Sequence, residues 1–349
     1  MKTMKAARLL GPENIKLEEL LRPKVGSKEV LCKVVRAGIC GTDYAIYTGE
    51  FSFVKNGGIK FPMTMGHEWA GTVAEVGSEV KYFQTGDRVV GDTCVSCGDC
   101  VKCLLGDYEN CEKVRAVGTI NTWDGAFAEY IVMPERHLFH LPEKVGFDAG
   151  AFAELAATAL YAVKCANVQI GDTVLIQGSG ALGLLAAKLS KLSGASKVFI
   201  TGRKKTKLDL ALNFGADIAI NTTEESVAET VLRNNGGKKV DRIVETSGSI
   251  QLFKESIDII RAGGSISTVA FYEKVIDGLE IDKFVFGNIN LRGVGGSHGM
   301  FQPVLELMNS GMLDINPLIS GRYDFKDINQ AFADMKTKNE IRIKWLLNF

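Results

Sequence analysis

Two textures of hydrophobic and polar residues alternate along the chain. Up to about residue 150, short β-prone runs such as 29–36 (EVLCKVVR), 71–76 and 87–90 are separated by glycine-rich turns. That texture predicts an antiparallel, partly barrel-like β domain. From about 155 to 297 short apolar strands alternate with helical stretches. TVLIQ at 173–177 reads as a buried strand, and the ALGLLAAKLSKLSG that follows its glycine turn reads as a helix stopped by Gly194. KVFIT (197–201), DIAIN (217–221), DRIVE (241–245) and SISTVA (265–270) continue the strands, with helices over 205–214, near 225–234 and near 250–262. Strands and helices in strict alternation predict a parallel sheet with right-handed crossovers. The last 50 residues predict a further helix or two and a final β-prone run, IRIKWLL, able to return to the first domain. The expected fold is therefore α/β: a β domain over 1–154, completed by 298–349, and a parallel-sheet domain over 155–297.

A chain of 349 residues is long enough for two domains with their own cores. Lysine plus arginine equals aspartate plus glutamate at 41 each, so no general attraction for nucleic acid or an anionic membrane is expected. MKTMKAARLL has no apolar run of signal-peptide length, and no stretch reaches the ~18 apolar residues of a membrane span. A cytoplasmic address is the expectation. Five of the eight cysteines crowd between Cys94 and Cys111, which in such a chain points to metal rather than disulfides.

Gly178-Ser179-Gly180-Ala181-Leu182-Gly183 matches G-x-G-x-x-G between a predicted strand and a predicted helix. In that context Gly178 makes the tight turn, Gly180 lets the backbone approach a pyrophosphate, and Gly183 allows close helix packing. Ala181 and Leu182 open the helix whose N-terminus favours the phosphate charge. The parallel-sheet domain is thus expected to be a Rossmann-type dinucleotide-binding domain. A carboxylate at the end of the second strand would hold the ribose 2′-hydroxyl. This chain has Gly202, Arg203 and Lys204 there instead. Glycine removes a charge that would repel a 2′-phosphate, and Arg203 and Lys204 can pair with one, so NADP(H) is expected over NAD(H). A solvated basic turn, with Arg203 stacking on adenine, is the plainer alternative.

Cys97, Cys100, Cys103 and Cys111 are spaced C-x2-C-x2-C-x7-C. Four thiolates at that spacing surround one zinc tetrahedrally and leave no open position, so this metal holds a loop. An iron–sulfur signature begins alike but places its fourth cysteine, followed by proline, closer to the third. Here Glu112 follows Cys111. Cys94 lies outside the spacing.

Cys40 in CGTD, His67 and Glu68 in GHE, and Glu154 opening ELAATALYA each have an ordinary explanation when taken singly. In this order, and together with the cysteine lobe, DGAFAEY at 124–130 and the glycine fingerprint, they resemble the zinc-containing medium-chain alcohol and polyol dehydrogenases. The sorbitol dehydrogenase-like branch is the nearest in pattern, and the resemblance covers essentially the whole chain. It implies two zinc ions per chain. Cys40 and His67 would be ligands of the catalytic one, Glu68 a ligand or associated carboxylate, and Glu154 would complete the site directly or through water. Thr42 matches the hydroxyl that passes the substrate proton outward. Ala45 stands where many relatives have the next relay histidine, and Leu155 where polyol relatives have proline after the glutamate.

The implied reaction is reversible hydride transfer between a secondary alcohol (a polyol, sugar or cyclitol) and NAD(P), on a small-molecule substrate and in a homo-oligomer, dimer or tetramer. A sugar (aldose or glucose) 1-dehydrogenase is the enzymatic rival. A non-catalytic NADP(H)-binding sensor is the other, though it would have lost the reactive ligands. Phe51, Phe53 and Trp69 suit either a substrate pocket or packing. His298 is a candidate substrate contact, Glu245, Thr246 and Ser247 candidate cofactor-side residues at the end of a predicted strand, and His137 and His140 read as surface or structural.

Overall fold

The computed structural model describes residues 2–121, 123–337 and 342–349. The chain forms two compact units, Met1–Ala157 with His298–Phe349, and Thr158–Ser297.

The first unit is β-rich and centred on the eleven-residue strand Glu29–Ile39. On one side this strand pairs antiparallel with Glu68–Val76, on the other with Lys344–Asn348. The C-terminal strand expected from IRIKWLL therefore closes the same sheet as the N-terminal region. Its first residue, Ile341, lies outside the described residues, and pairing begins near Lys344. Leu138–His140, Arg88–Gly91 and Ile319–Asp324 extend this sheet, and Tyr130–Pro134 also pairs along Glu29–Ile39. A second sheet joins Ile15–Leu21, Thr3–Leu9 and Met63–Thr64. Trp69, Phe127, Phe332, Met63 and Met65 fill the core between these elements, each contributing roughly 1.5–3 kcal/mol by leaving water. Phe51 and Trp69 belong to this core, with Phe53 packed at its margin 5.4 Å from the Phe51 ring centroid; packing accounts for all three.

The second unit holds six parallel strands in the order Ile218–Asn221, Lys197–Gly202, Thr173–Gln177, Val240–Glu245, Ile260–Thr268, Asn290–Gly293. Thr173–Gln177 comes first in the chain yet lies inside the sheet, so successive strands run outward from it in both directions. The order reverses at its C-terminal end, which is where such sheets bind ligands. Two details differ from expectation. The helix Ile250–Ile259 stops short of residue 262, because Ile260 already pairs with Val240 and the ladder then shifts register before Ser265. Asn290–Gly293 is an edge strand that NLRG, with one apolar residue, does not announce.

Candidate metal and cofactor sites

Three neighbouring strands of the first unit bring distant residues to one end of the sheet. Cys40 directly follows Glu29–Ile39 and caps the helix Gly41–Thr48. His67 directly precedes Glu68–Val76, of which Glu68 is the first residue, and Lys344 opens the last strand. The ligand atoms of Cys40, His67 and Glu68 all lie within 4.8 Å of one another. Thiolate, imidazole and carboxylate in that compass suit a zinc ion.

Glu68 has a second partner that sequence reasoning missed. The Lys344 ammonium donates to both of its oxygens at 2.7 Å, the two side chains being 4% and 0% exposed. They stand on strands that flank Glu29–Ile39, and the carboxylate reaches across because Gly38 lies between them. A Cβ on Gly38 would fall 2.3 Å from Glu68 Oε2. Burial opposes the charge on Lys344, but Glu68, Cys40 and Asp43 together outweigh it and raise the ammonium pKa. The signal in the sequence was a lysine at the head of an apolar strand.

Asp43, also missed, is fully buried on the first turn of the helix after Cys40. Its Oδ2 accepts from the Cys40 amide at 2.8 Å, and its Oδ1 stands 3.3 Å from His67 Nδ1. Neither of those last two atoms has another hydrogen-bond partner. Asp43 thus takes the Nδ1 side of the ring and leaves Nε2 for a ligand, the usual division for a metal-bound histidine. Burial works against a charge on His67, but Asp43 and Cys40 outweigh it and raise its pKa. The signal was the Asp of CGTD itself, read only as part of a motif.

Glu154 lies in the first turn of Ala153–Cys165. It is outside the tight trio, yet close enough for His67, Glu68 and Asp92 to act on its charge. Burial pushes its carboxyl up to about 7, against the pull of His67. Thr42 is half-buried on the Gly41–Thr48 helix, as is Ala45.

The four lobe cysteines also gather within 4.8 Å. Their sulfurs are 3.5 to 3.9 Å apart where paired. A tetrahedron of Zn–S bonds spaces its sulfurs by about 3.8 Å, so the donors fit a zinc. Backbone N–H groups of Cys97, Gly98 and Lys113 donate to Cys111, Cys103 and Cys111 sulfurs respectively, which disperses thiolate charge. Cys94 donates to the Tyr108 carbonyl instead. His298 pairs with Glu109 in this lobe, a local role for a residue first weighed as a substrate contact. His137 is buried and accepts from the Ser96 amide at 3.0 Å, while His140 is exposed.

In the second unit the strand Thr173–Gln177 runs into residues 178–183 and then the helix Ala181–Leu192. Gly178 has φ of +107°, and a Cβ on Gly183 would lie 1.9 Å from its carbonyl oxygen, so neither position takes a side chain. A Cβ on Gly180 would meet nothing within 4 Å. The loop is therefore tight underneath and open above the helix N-terminus, a cradle that fits a pyrophosphate. Gly202 ends the next strand and Arg203 beside it is exposed. Glu245 is held by its own neighbours: it accepts from the Ser247 and Gly248 amides and the Tyr272 hydroxyl.

Residues 26–143 match the family model described as an alcohol dehydrogenase GroES-like domain, and residues 181–310 that of a zinc-binding dehydrogenase. An L-threonine 3-dehydrogenase of Marinomonas sp. is 32% identical, over 96% of each chain. A sorbitol dehydrogenase of Halalkalibacterium halodurans is 30% identical, over 95% of this chain and 96% of its own. A Sinorhizobium meliloti structure, described as a zinc-binding dehydrogenase bound to NADP, superposes with a TM-score of 0.89 at 30% identity over all of both chains.

Proposed function

Since this chain belongs to the zinc-containing medium-chain alcohol and polyol dehydrogenases, we propose that it reversibly oxidises a secondary hydroxyl of a polyol, sugar or cyclitol, taking NADP(H) in preference to NAD(H). One observation carries the reading: a thiolate, an imidazole and a carboxylate within 4.8 Å, with the half-buried Glu154 close enough to feel their charges. Zinc, when bound there, supplies a Lewis acid that lowers the pKa of an alcohol hydroxyl. Cys40 and His67 would hold the ion, with Glu68 and Glu154 completing the donor set. Asp43 fixes the ring of His67, and Lys344 restrains Glu68. Thr42 would be the hydroxyl that passes the proton on, and Ala45 would leave the next step to water or a ribose hydroxyl. The second zinc would sit in the cysteine lobe and hold it.

For the cofactor, we assign Gly178, Gly180, Ala181, Leu182 and Gly183 to the pyrophosphate, and Gly202, Arg203 and Lys204 to the adenosine ribose. Exposed Arg203 and the lack of a carboxylate at 202–204 support NADP(H). A homo-oligomer is supported by Ile281, Val285, Phe286 and Leu291, which are all exposed near the edge strand Asn290–Gly293. Free cysteines persist most readily in a reducing compartment, which favours the cytoplasm.

The test is turnover with sorbitol, xylitol, inositol, glucose and L-threonine, each with both cofactors. A polyol or cyclitol should lead in kcat/KM. Preference for glucose would favour the aldose 1-dehydrogenase reading and preference for L-threonine the chemistry that relative's name gives. Arg203→Ala should cut the NADP(H)/NAD(H) ratio about tenfold; an unchanged ratio removes Arg203 from that role.

A further inference from the structure

The glycine loop contains one side chain that the cofactor assignment has not used. Ser179 is only 8% exposed, and its hydroxyl forms no hydrogen bond among the described residues. The groups around it are engaged: the Gly178 amide donates to Thr201 Oγ1 at 3.1 Å, and the Thr246 hydroxyl to the Gln177 carbonyl at 2.7 Å. Ser179 lies against the end of the neighbouring strand. A Cβ on Gly202 would fall 2.3 Å from Ser179 Oγ, 2.9 Å from Leu208 Cδ2 and 3.0 Å from Ser179 Cβ.

Turning the hydroxyl away relieves only the first of these contacts. Ser179 Cβ stays where the backbone puts it, and Leu208 is itself buried. The end of this strand is where a dinucleotide site selective for NAD(H) carries its carboxylate. Here that volume belongs to a hydroxyl. The two groups do opposite chemistry: a carboxylate accepts from a ribose 2′-hydroxyl and repels a 2′-phosphate, whereas a hydroxyl donates to a phosphate oxygen.

We infer that Ser179 is a second determinant of dinucleotide choice, excluding an acidic side chain from position 202 and offering its hydroxyl to the 2′-phosphate in that place. The inference rests on the NADP(H) reading above. It also gives Gly202 a packing role: the residue is small because Ser179 and Leu208 leave no room for a Cβ.

The experiment is calorimetric binding to the purified zinc-loaded protein of NADP+, NAD+, 2′,5′-ADP and 5′-AMP, with thermal melting of each variant. Ser179→Ala should weaken NADP+ and 2′,5′-ADP about tenfold and leave NAD+ and 5′-AMP within about twofold. Gly202→Asp alone should melt several degrees below the parent. Adding Ser179→Gly to it should restore most of that loss and tighten NAD+. Equal weakening of both ligand pairs by Ser179→Ala overturns the donor role. A Gly202→Asp single variant as stable as the parent, with NAD+ bound as tightly as in the double variant, overturns the exclusion. Should the parent itself prefer NAD+, the NADP(H) reading fails, and the melting comparison still decides whether Ser179 closes position 202.

Discussion

The cysteine lobe and the reactive cluster both belong to the first unit, and they are assembled in opposite ways. The lobe takes four sulfurs from one short stretch, Cys97 to Cys111, and surrounds them with its own backbone N–H groups. The cluster draws Cys40, His67, Glu68 and Glu154 from three separate segments and depends on a sheet to align them. Its carboxylate is also shared, since Glu68 already answers to Lys344. A site made by local chain closes on its metal and stabilises. In the proposed reading, the one made by long-range pairing would keep a position open for substrate, which is what chemistry at a metal requires.

The largest expected effect comes from removing one ligand on each side. Cys40→Ser should lower turnover by more than about 100-fold, since even a residue orienting a ligand is worth 10–100-fold. Zinc content should fall from two to one with little change in melting temperature. Cys103→Ser should also lose one zinc but lower the melting temperature by several degrees, because in the proposed reading a metal holds the lobe. Metal analysis alongside melting and turnover checks both. If Cys103→Ser abolished turnover in a protein that melts normally, the two roles would be exchanged.

The same contrast decides how much could be read from the chain. The gathering of the lobe's four cysteines was legible because they and their spacing are local, and so were strands such as Thr173–Gln177 and the helix Lys205–Phe214, whose patterns match their burial. Cys40 and His67 came from motifs rather than from geometry. Lys344 is 276 residues from Glu68, and only pairing through Glu29–Ile39 brings them together; no window of sequence contains that fact. Asp43 was in plain view, but its reach to His67 depends on a helix that begins at Gly41. Asn290–Gly293 becomes a strand because Ile260–Thr268 offers it an edge, not through its own propensity.

The dependence on long-range pairing is sharpened by Lys344→Met. In the zinc-free protein Glu68 would then be a buried carboxylate without its cation, which destabilises by about 3–5 kcal/mol. Adding Glu68→Gln should recover a large part of that, since the stranded charge is gone. Urea denaturation of the single and double variants measures both. A single variant within ~1 kcal/mol of the parent would mean that the pair does not hold the ends of the strands together, and the contrast with the lobe would lose its physical basis.

The smallest effect concerns the entrance to the lobe, where His137 accepts from the Ser96 amide just before Cys97. Burial, helped by the Arg136 charge, depresses its pKa from 6.5 to about 3. Below pH ~6.5 the unfolded imidazole takes up a proton that the folded one refuses. The folded state therefore binds fewer protons through this window. The contribution of a neutral His137 is complete above the unfolded pKa and is lost as pH falls from about 6.5 towards 3. His137→Gln keeps an acceptor for Ser96 but cannot titrate. At pH 7 the variant should be less stable by about 1 kcal/mol for imperfect packing. At pH 5 the parent has lost roughly 2 kcal/mol that the variant has not, so the order should reverse. Urea midpoints at the two pH values decide it. Parallel losses in both proteins would show that the lobe's entrance is not guarded by a neutral histidine, and that its acid sensitivity resides in the thiolates alone.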